Sequence, residues 1–359
     1  MALDFAKEAI ENAEKYSINF DELRAGKANI KVIGVGGAGC NTVTWLFNKG
    51  INGATVYGVN TDALHLSITK ADEKILIGRE LTRGLGCGGH PGRGREAAKE
   101  SLAELKKAAG GADMVFVLLG LGGGTGTGAA PVVAQLAKES GAVVIVVATM
   151  PFECEKVRQE KAEFGLQELT EVADTIILID NNKLVDIAGQ LPMEQAFAVA
   201  NELVSTMIKG IVETITLPSL INLDYADVSA IMKNGDVAVI GVGESDASQT
   251  RVEEAVRQAL TQPLLDVDYR GATGALIHVT CGPTFKLEEF AGIGELVTEN
   301  LNEDAQVIIG ARINKDFGNR VRVITIMTGV KSPYVLGKKT QSEQEATSEM
   351  SDLGIEVFK

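Results

Sequence analysis

GLGGGTGTGAAP, residues 120–131, is the stretch on which the reading of this chain turns. Six of the nine positions from Gly120 to Gly128 are glycine, and Thr125 and Thr127 add only small hydroxyls between the later ones. So bare a segment loses much conformational entropy on folding, which is sensible where backbone amides must wrap closely around a ligand. A second glycine segment, GVGGAGCN at residues 34–41, follows the strand-like run KVIGV and precedes a helical pattern, so its amides can face an anion. Taken alone, Gly34, Gly36 and Gly39 satisfy GxGxxG and also suit a dinucleotide-binding turn, with Asp62 after the next strand as ribose acceptor. A tight strand-to-helix packing turn would use the same glycines. Two such segments opening helices from one sheet imply a polyphosphate. No GxxxxGKS or GxxxxGKT occurs, so no P-loop lysine neutralises the phosphates, and phosphate-bound Mg²⁺ is expected in that role.

Around these segments, from Lys31 to Asp180, short β-branched runs alternate with helical patterns: KVIGV, ATVYGV, KILI, MVFVLLG, VVIVVAT and TIILID. This alternation predicts an α/β fold, a Rossmann-like parallel sheet wound with helices, whose ligands bind beyond the carboxyl ends of the strands. From Met193 to Thr216 apolar residues recur at spacings of three and four, predicting a long buried helix that connects this unit to the next. The second half reads as a smaller α/β domain with its own core, its strands beginning near Val237, Ala275, Ala305 and Val321 and its helices at Arg251 and Leu287. The expected boundaries are an N-terminal extension at 1–29, a nucleotide domain at 30–192, the connector at 193–220, a second domain at 221–330 and a tail at 331–359. The tail is polar and low in hydrophobicity until the closing LGIEVFK, an apolar patch that is either without meaning or a short docking peptide.

A formal charge of -14 and a pI near 4.8 argue against nucleic acid as a partner, because phosphate backbones are bound by basic surfaces. The apolar runs are strand-sized, far below the roughly 18 residues of a spanning helix, so no direct membrane insertion is expected. The opening MALDFAKEAIENAEK lacks the pattern of a signal peptide, which predicts a cytoplasmic protein. Cys40, Cys87, Cys154 and Cys281 form no CxxC pair, and His65, His90 and His278 are scattered, so no protein-held metal site is expected.

GGGTGTG closely resembles the signature loop of the tubulin and FtsZ superfamily, and GVGGAGCN resembles the first nucleotide loop of its FtsZ branch. The resemblance covers Lys31 to Gly329. It implies a GTPase that binds GTP and GDP through Gly36, Gly37, Ala38 and Asn41 and through Gly122, Gly123, Gly124, Thr125, Gly126, Thr127 and Gly128. NTDA resembles the second nucleotide loop, contributing Asn60 and Asp62. GLGCGGHPGRG resembles the γ-phosphate loop, with the backbone of Cys87 and Gly88 nearest the phosphate. PFECEKVR resembles the ribose loop, with Pro151, with Glu155 on the ribose hydroxyls and with Arg158 close by; the glycine that usually follows the glutamate is missing here. Asn181 would bond the guanine edge, Phe197 would stack on the base, and Asn201 would accept from its N–H groups. Many relatives have aspartate at this last position, and an amide gives up the charge-assisted strength of a carboxylate. Without the resemblance, Phe197 reads as simple burial in the connector helix.

The nucleotide half shows no residue suited to position an attacking water. Asn222, Asp224 and Asp227 in SLINLDYADVSAIM read by themselves as helix caps. By resemblance they form the activating loop that enters the neighbouring subunit's pocket, the two aspartates polarising the water and Asn222 contacting the phosphate region. That implies a head-to-tail homopolymer hydrolysing GTP between subunits, active in cell division at a mid-cell ring. LGIEVFK resembles the terminal docking peptide of archaeal members, implying a membrane-tethering SepF-like adaptor as partner. Two other classes remain open on these residues: an NAD-dependent oxidoreductase, which leaves the second glycine segment unexplained, and a superfamily member that binds GTP as a shape or scaffold protein.

Overall fold

The computed structural model describes residues 28–217, 221, 224–233, 236–261, 271–299, 301–302 and 304–330. The N-terminal extension through Lys27, Asn222 and the tail from Lys331 lie outside the described residues.

Apolar runs and glycine punctuation produce the expected alternation. The chain forms β1 (Ile30–Val35), α1 (Gly36–Lys49), β2 (Ala54–Asn60), α2 (Ala63–Ile68) and β3 (Glu73–Leu76), then α3 (Arg79–Thr82), α4 (Pro91–Glu100) and α5 (Leu102–Ala109). Next come β4 (Met114–Gly120), α6 (Thr125–Glu139), β5 (Val143–Met150), α7 (Lys156–Val172), β6 (Thr175–Asp180) and α8 (Asn181–Ala188). The connector α9 (Met193–Thr216) leads to α10 (Tyr225–Lys233), β7 (Asp236–Ser245), α11 (Arg251–Thr261), β8 (Gly274–Cys281), α12 (Leu287–Thr298), β9 (Gln306–Ile313) and β10 (Val321–Thr328). The glycine-rich stretch turns helical at Thr125, so Pro131 sits inside α6; burial of Ala129, Ala130 and Val133 there offsets its lost backbone bond.

Ten strands among the described residues form one sheet in the order β3-β2-β1-β4-β5-β6-β7-β10-β8-β9. β1 to β6 are parallel, whereas β10 lies antiparallel between β7 and β8. Successive side chains point to opposite faces, so each strand feeds two apolar layers. Ile33, Val35, Val115, Val117 and Leu119 face one layer, with α4 to α7, α11 and α12 packed on it. Ile30, Val32, Met114, Phe116 and Leu118 face the other, covered by α1, α9 and α10. Both layers continue into the second half through β7, β8 and β10, so that half does not own a separate core. The reason is topological: β6 pairs in parallel with β7 from Thr175↔Asp236 to Ile177↔Ala238, which fuses the two halves into one sheet.

The 24-residue α9 spans roughly 36 Å at 1.5 Å per residue. Its stripe of Val204, Met207, Ile208, Ile211 and Val212 is buried against strands of both halves. Near its lower end, buried Glu213 accepts from Arg312 of β9 at 2.5 Å, and Thr214 Oγ1 lies 2.7 Å from Nδ1 of buried His278 on β8. Burial pushes the His278 imidazole down to about 4, helped by the positive charges of Arg312 and Arg322. No helix among the described residues is long and apolar enough to cross a membrane.

Candidate functional site

The strand order reverses direction at β1, whose neighbours are β2 on one side and β4 on the other. Such a switch point opens a crevice at the carboxyl ends of the strands. α1 and α6 both start there, directly after β1 and just beyond β4. Their N-cap residues, Val35 and Gly124, make no side-chain cap, and neither helix has an acid in its first turn. The first amides of each helix therefore keep their donors and the positive end of the dipole for an anion. By contrast, α2 and α8 are capped by their own aspartates: Asp62 accepts from His65 N at 3.0 Å, and Asp180 accepts from Asn182 N at 2.8 Å.

A cavity of about 1120 Å³ lies over these starts. Its phosphate-sized end is lined by Gly37, Ala38, Asn41, Gly123, Gly124, Thr125 and Gly126. Gly37 faces open space, with no heavy atom within 4 Å of where a Cβ would stand, whereas Gly39 is a packing glycine whose Cβ would fall 2.2 Å from the Leu118 carbonyl. The loop after β5 adds Pro151, Phe152, Glu155 and Arg158. Glu155 opens α7 with its carboxylate already engaged, Oε1 accepting from Phe152 N at 3.3 Å and Oε2 from Arg158 Nη1 at 2.7 Å. Arg158 is mostly exposed, so this pair contributes little stability by itself.

The far end is formed by Asn181 at the start of α8 and by Phe197 and Asn201 on α9. Phe197 is not simply buried. It lines the cavity and meets Phe152 edge to face, ring centroids 6.1 Å apart, leaving an aromatic corner suited to a planar base. Asn201 Oδ1 accepts from Thr42 Oγ1 on α1 at 2.9 Å, and neighbouring Glu202 accepts from Trp45 Nε1 at 2.8 Å. Phe152, Thr42 and Trp45 all line the cavity and escaped sequence reasoning. Thr42 and Trp45 look like ordinary helix positions until α9 packs against α1; the one available signal was their helical spacing of four and seven from Ala38.

Other expected contacts stand behind or beside the cavity. Gly36, Gly122, Thr127 and Gly128 pack tightly against Gly126, Arg158, Gly165 and Pro91 respectively. Asn60 is buried and turns inward, its Oδ1 accepting from Thr61 N at 2.9 Å. Asp62, the acid that a dinucleotide reading places on a ribose, is spent as the α2 cap. Cys87 and Gly88 flank the glycine loop: a Cβ on Gly124 would lie 2.8 Å from Cys87 Cβ. The Cys87 side chain matters as well as its backbone. Its thiol is 3.4 Å from Thr61 Oγ1 and 3.6 Å from Thr125 Oγ1, and those hydroxyls are 2.7 Å apart, closing a triangle that binds three nucleotide-facing segments together.

Asp224 and Asp227 do not reach this cavity. Both are exposed at the start of α10, and between them Tyr225 donates its hydroxyl to the Asp113 carbonyl at 2.7 Å. Asp113 precedes β4, whereas the cavity lies beyond Gly120 at its other end. A seven-residue strand spans roughly 20 Å, so the acids occupy the opposite edge of the sheet. No group of three His, Cys, Asp or Glu that could hold a metal is found among the described residues.

Comparison with known proteins agrees with this geometry. Residues 29–189 match the GTPase domain of the Tubulin/FtsZ family, and residues 236–331 match the C-terminal domain of the FtsZ family. The chain is 51% identical over 344 residues to "Cell division protein FtsZ 2" of Methanocaldococcus jannaschii, covering 95% of this chain and 90% of that protein. It is 54% identical over 310 residues to "Cell division protein FtsZ 1" of Pyrococcus furiosus, covering 86% and 83%. A solved M. jannaschii structure, described as an empty FtsZ dimer, superposes with a TM-score of 0.81 at 50% identity over 90% of this chain and 92% of that one. The dehydrogenase alternative is thereby excluded. With both domains in order, a cavity built from the signature glycine loops and about half of all positions shared with FtsZ proteins, this chain belongs to the tubulin/FtsZ family and is an FtsZ-type GTPase.

Proposed function

We propose that this protein assembles head to tail with copies of itself and hydrolyses GTP in sites that two chains complete. The observation that carries the reading is the separation of its parts: a nucleotide-shaped cavity at one edge of the sheet and exposed Asp224 and Asp227 at the other. The amides of α1 and α6 hold the phosphates, Glu155 holds the ribose, and Asn181, Phe197 and Asn201 take the guanine. Mg²⁺ bound to the phosphates supplies charge neutralisation that no lysine in the glycine loops provides. Asp224 and Asp227 from the next copy orient the attacking water, and Asn222 contacts the phosphate region. Such a front-to-back contact generates an open filament when its rotation does not close. Residues 30–192 then form the GTP-binding domain, 193–220 the connector and 221–330 the activating domain.

Complementation tests this directly. Gly37→Val puts a branched side chain into the cavity from a position whose Cβ meets no heavy atom within 4 Å, and leaves the acids intact, whereas Asp227→Ala leaves the cavity intact. Each variant alone should be inactive, and mixing them should recover GTP hydrolysis because a G37V subunit supplies Asp227 to a D227A cavity. No recovery in co-assembled mixtures would sink the two-chain site.

The relatives are named as cell division proteins, which favours a role in the division ring over one as a shape scaffold. The closing LGIEVFK then docks a membrane-tethering SepF-like adaptor. A peptide of the last ten residues should bind such an adaptor and compete with the full chain for it; failure to compete would refute the tail assignment.

A further inference from the structure

The γ-phosphate loop is fastened on two sides. Inside, Cys87 joins the Thr61–Thr125 triangle. Outside, Lys161 on α7 donates from Nζ to the Gly89 carbonyl at 2.7 Å. Between these fastenings Gly88 and Gly89 adopt φ of 58° and 73°, and no hydrogen bond to either amide is made among the described residues. The Gly89 amide nitrogen lies 3.2 Å from the Cβ position of Gly124, so it sits beside the phosphate cradle while its carbonyl is turned out to Lys161. Consecutive left-handed glycines hold this orientation only weakly by themselves, because glycine explores both signs of φ. α7 thus presents Glu155, Arg158 and Lys161 at intervals of three, the first two on the ribose side of the cavity and the third on the phosphate loop.

We propose that Lys161 is a positioning residue that sets the preference for GTP over GDP, by pinning the Gly89 carbonyl outward and so holding the loop in the conformation that keeps the Gly89 amide beside the phosphate cradle, where a γ-phosphate would meet it. This rests on the GTP-binding reading above. GDP lacks the γ-phosphate that this loop would meet, so the cost of releasing the loop should fall on GTP. The charge matters as well as the bond: an ammonium beside this loop adds attraction for the triphosphate that a neutral side chain lacks.

The test compares Lys161→Met and Lys161→Arg in the full chain, with labelled GTP and GDP titrated separately and hydrolysis measured over a range of GTP. Lys161→Met should weaken GTP by about ten-fold, the loss of one charge-assisted hydrogen bond, and leave GDP within about two-fold. KM should rise with kcat nearly retained, and Lys161→Arg, which can still donate to the carbonyl, should recover most of the GTP affinity. Hydrogen exchange at residues 84–90 of the GDP-bound protein should quicken in Lys161→Met alone. Equal weakening of both nucleotides, or no change in the affinity ratio, would overturn the proposal. If the unmodified chain bound neither nucleotide, the GTP-binding reading itself would fail instead.

Discussion

The two edges of the parallel strands differ in what their helices do with charge. At the carboxyl edge, α1 and α6 begin uncapped and without acids, so their donors are reserved for a ligand. At the amino edge, α10 begins with Asp224 and Asp227 exposed, at the opposite end of β4 from the nucleotide cavity. One edge holds binding without a base, and the other holds acids without a substrate. On the two-chain reading proposed above, a monomer would retain nucleotide yet turn it over only when a second copy brings the edges together, coupling hydrolysis to assembly through geometry.

The largest effects should come from breaking each edge by itself. Asp227→Ala should cut turnover by about 10²–10³-fold, the usual cost of removing a group that polarises the reacting water, with GTP affinity unchanged. Equilibrium binding alongside steady-state hydrolysis distinguishes this from a folding defect. Gly37→Val should do the reverse, lowering GTP affinity by about 10²-fold or more while the variant still melts near the parent, because its side chain enters open space. Gly124→Val is a poorer probe, since its side chain would strike Cys87 Cβ at 2.8 Å and His90 N at 2.9 Å.

Much of this contrast is legible in the sequence because its physical signals are local. Strand runs, glycine punctuation and the Met193–Thr216 stripe each depend on neighbours within a turn or two, and the elements lie close to where these signals put them. What stayed hidden depends on contacts between distant segments. Thr42 and Trp45 become cavity walls only when α9 docks on α1. Phe152 gains its role from Phe197, 45 positions later. Lys161 is an ordinary polar helix residue until α7 brings it to Gly89. Conversely, Asn60 and Asp62 have the right motif, yet their side chains are used for a turn and a cap, because the backbone around them must first be satisfied. The continuity of the two apolar layers was also hidden, since strand order across β6 and β7 leaves no local mark.

Base recognition should respond less steeply than phosphate binding. Phe197→Ala removes one wall of the aromatic corner and should weaken guanine nucleotides by about ten-fold, with a Phe152→Ala variant showing a similar loss. Asn201→Asp should strengthen GTP relative to ITP, which lacks the exocyclic amine, by a few-fold, on the order of one charge-assisted hydrogen bond. The size is limited because Asn201 Oδ1 already accepts from Thr42. Competition binding with GTP, ITP and ATP measures both, and an unchanged selectivity in Asn201→Asp would place the purine elsewhere in the cavity.

The smallest effect tests whether α9 keeps the edges energetically separate. His278 is buried at the lower end of α9, between Thr214 and Thr280, and stays neutral to about pH 4 because burial and two arginines oppose its charge. Its folded pKa lies below the unfolded value of about 6.5, so the unfolded chain binds more protons between those pH values and folding stability must rise with pH across that window. The stability associated with neutral His278 is full above about pH 6.5 and is lost as pH falls toward 4, amounting to about 3 kcal/mol at most. His278→Gln keeps a polar group near Thr214 but cannot titrate, so it should flatten that acid limb in urea unfolding curves. GTP affinity at neutral pH should be unaltered, because the histidine lines neither the nucleotide cavity nor the α10 start. A change in affinity would show that the packing beneath α9 reaches the nucleotide edge, and the two edges would then be coupled within one chain as well as between two.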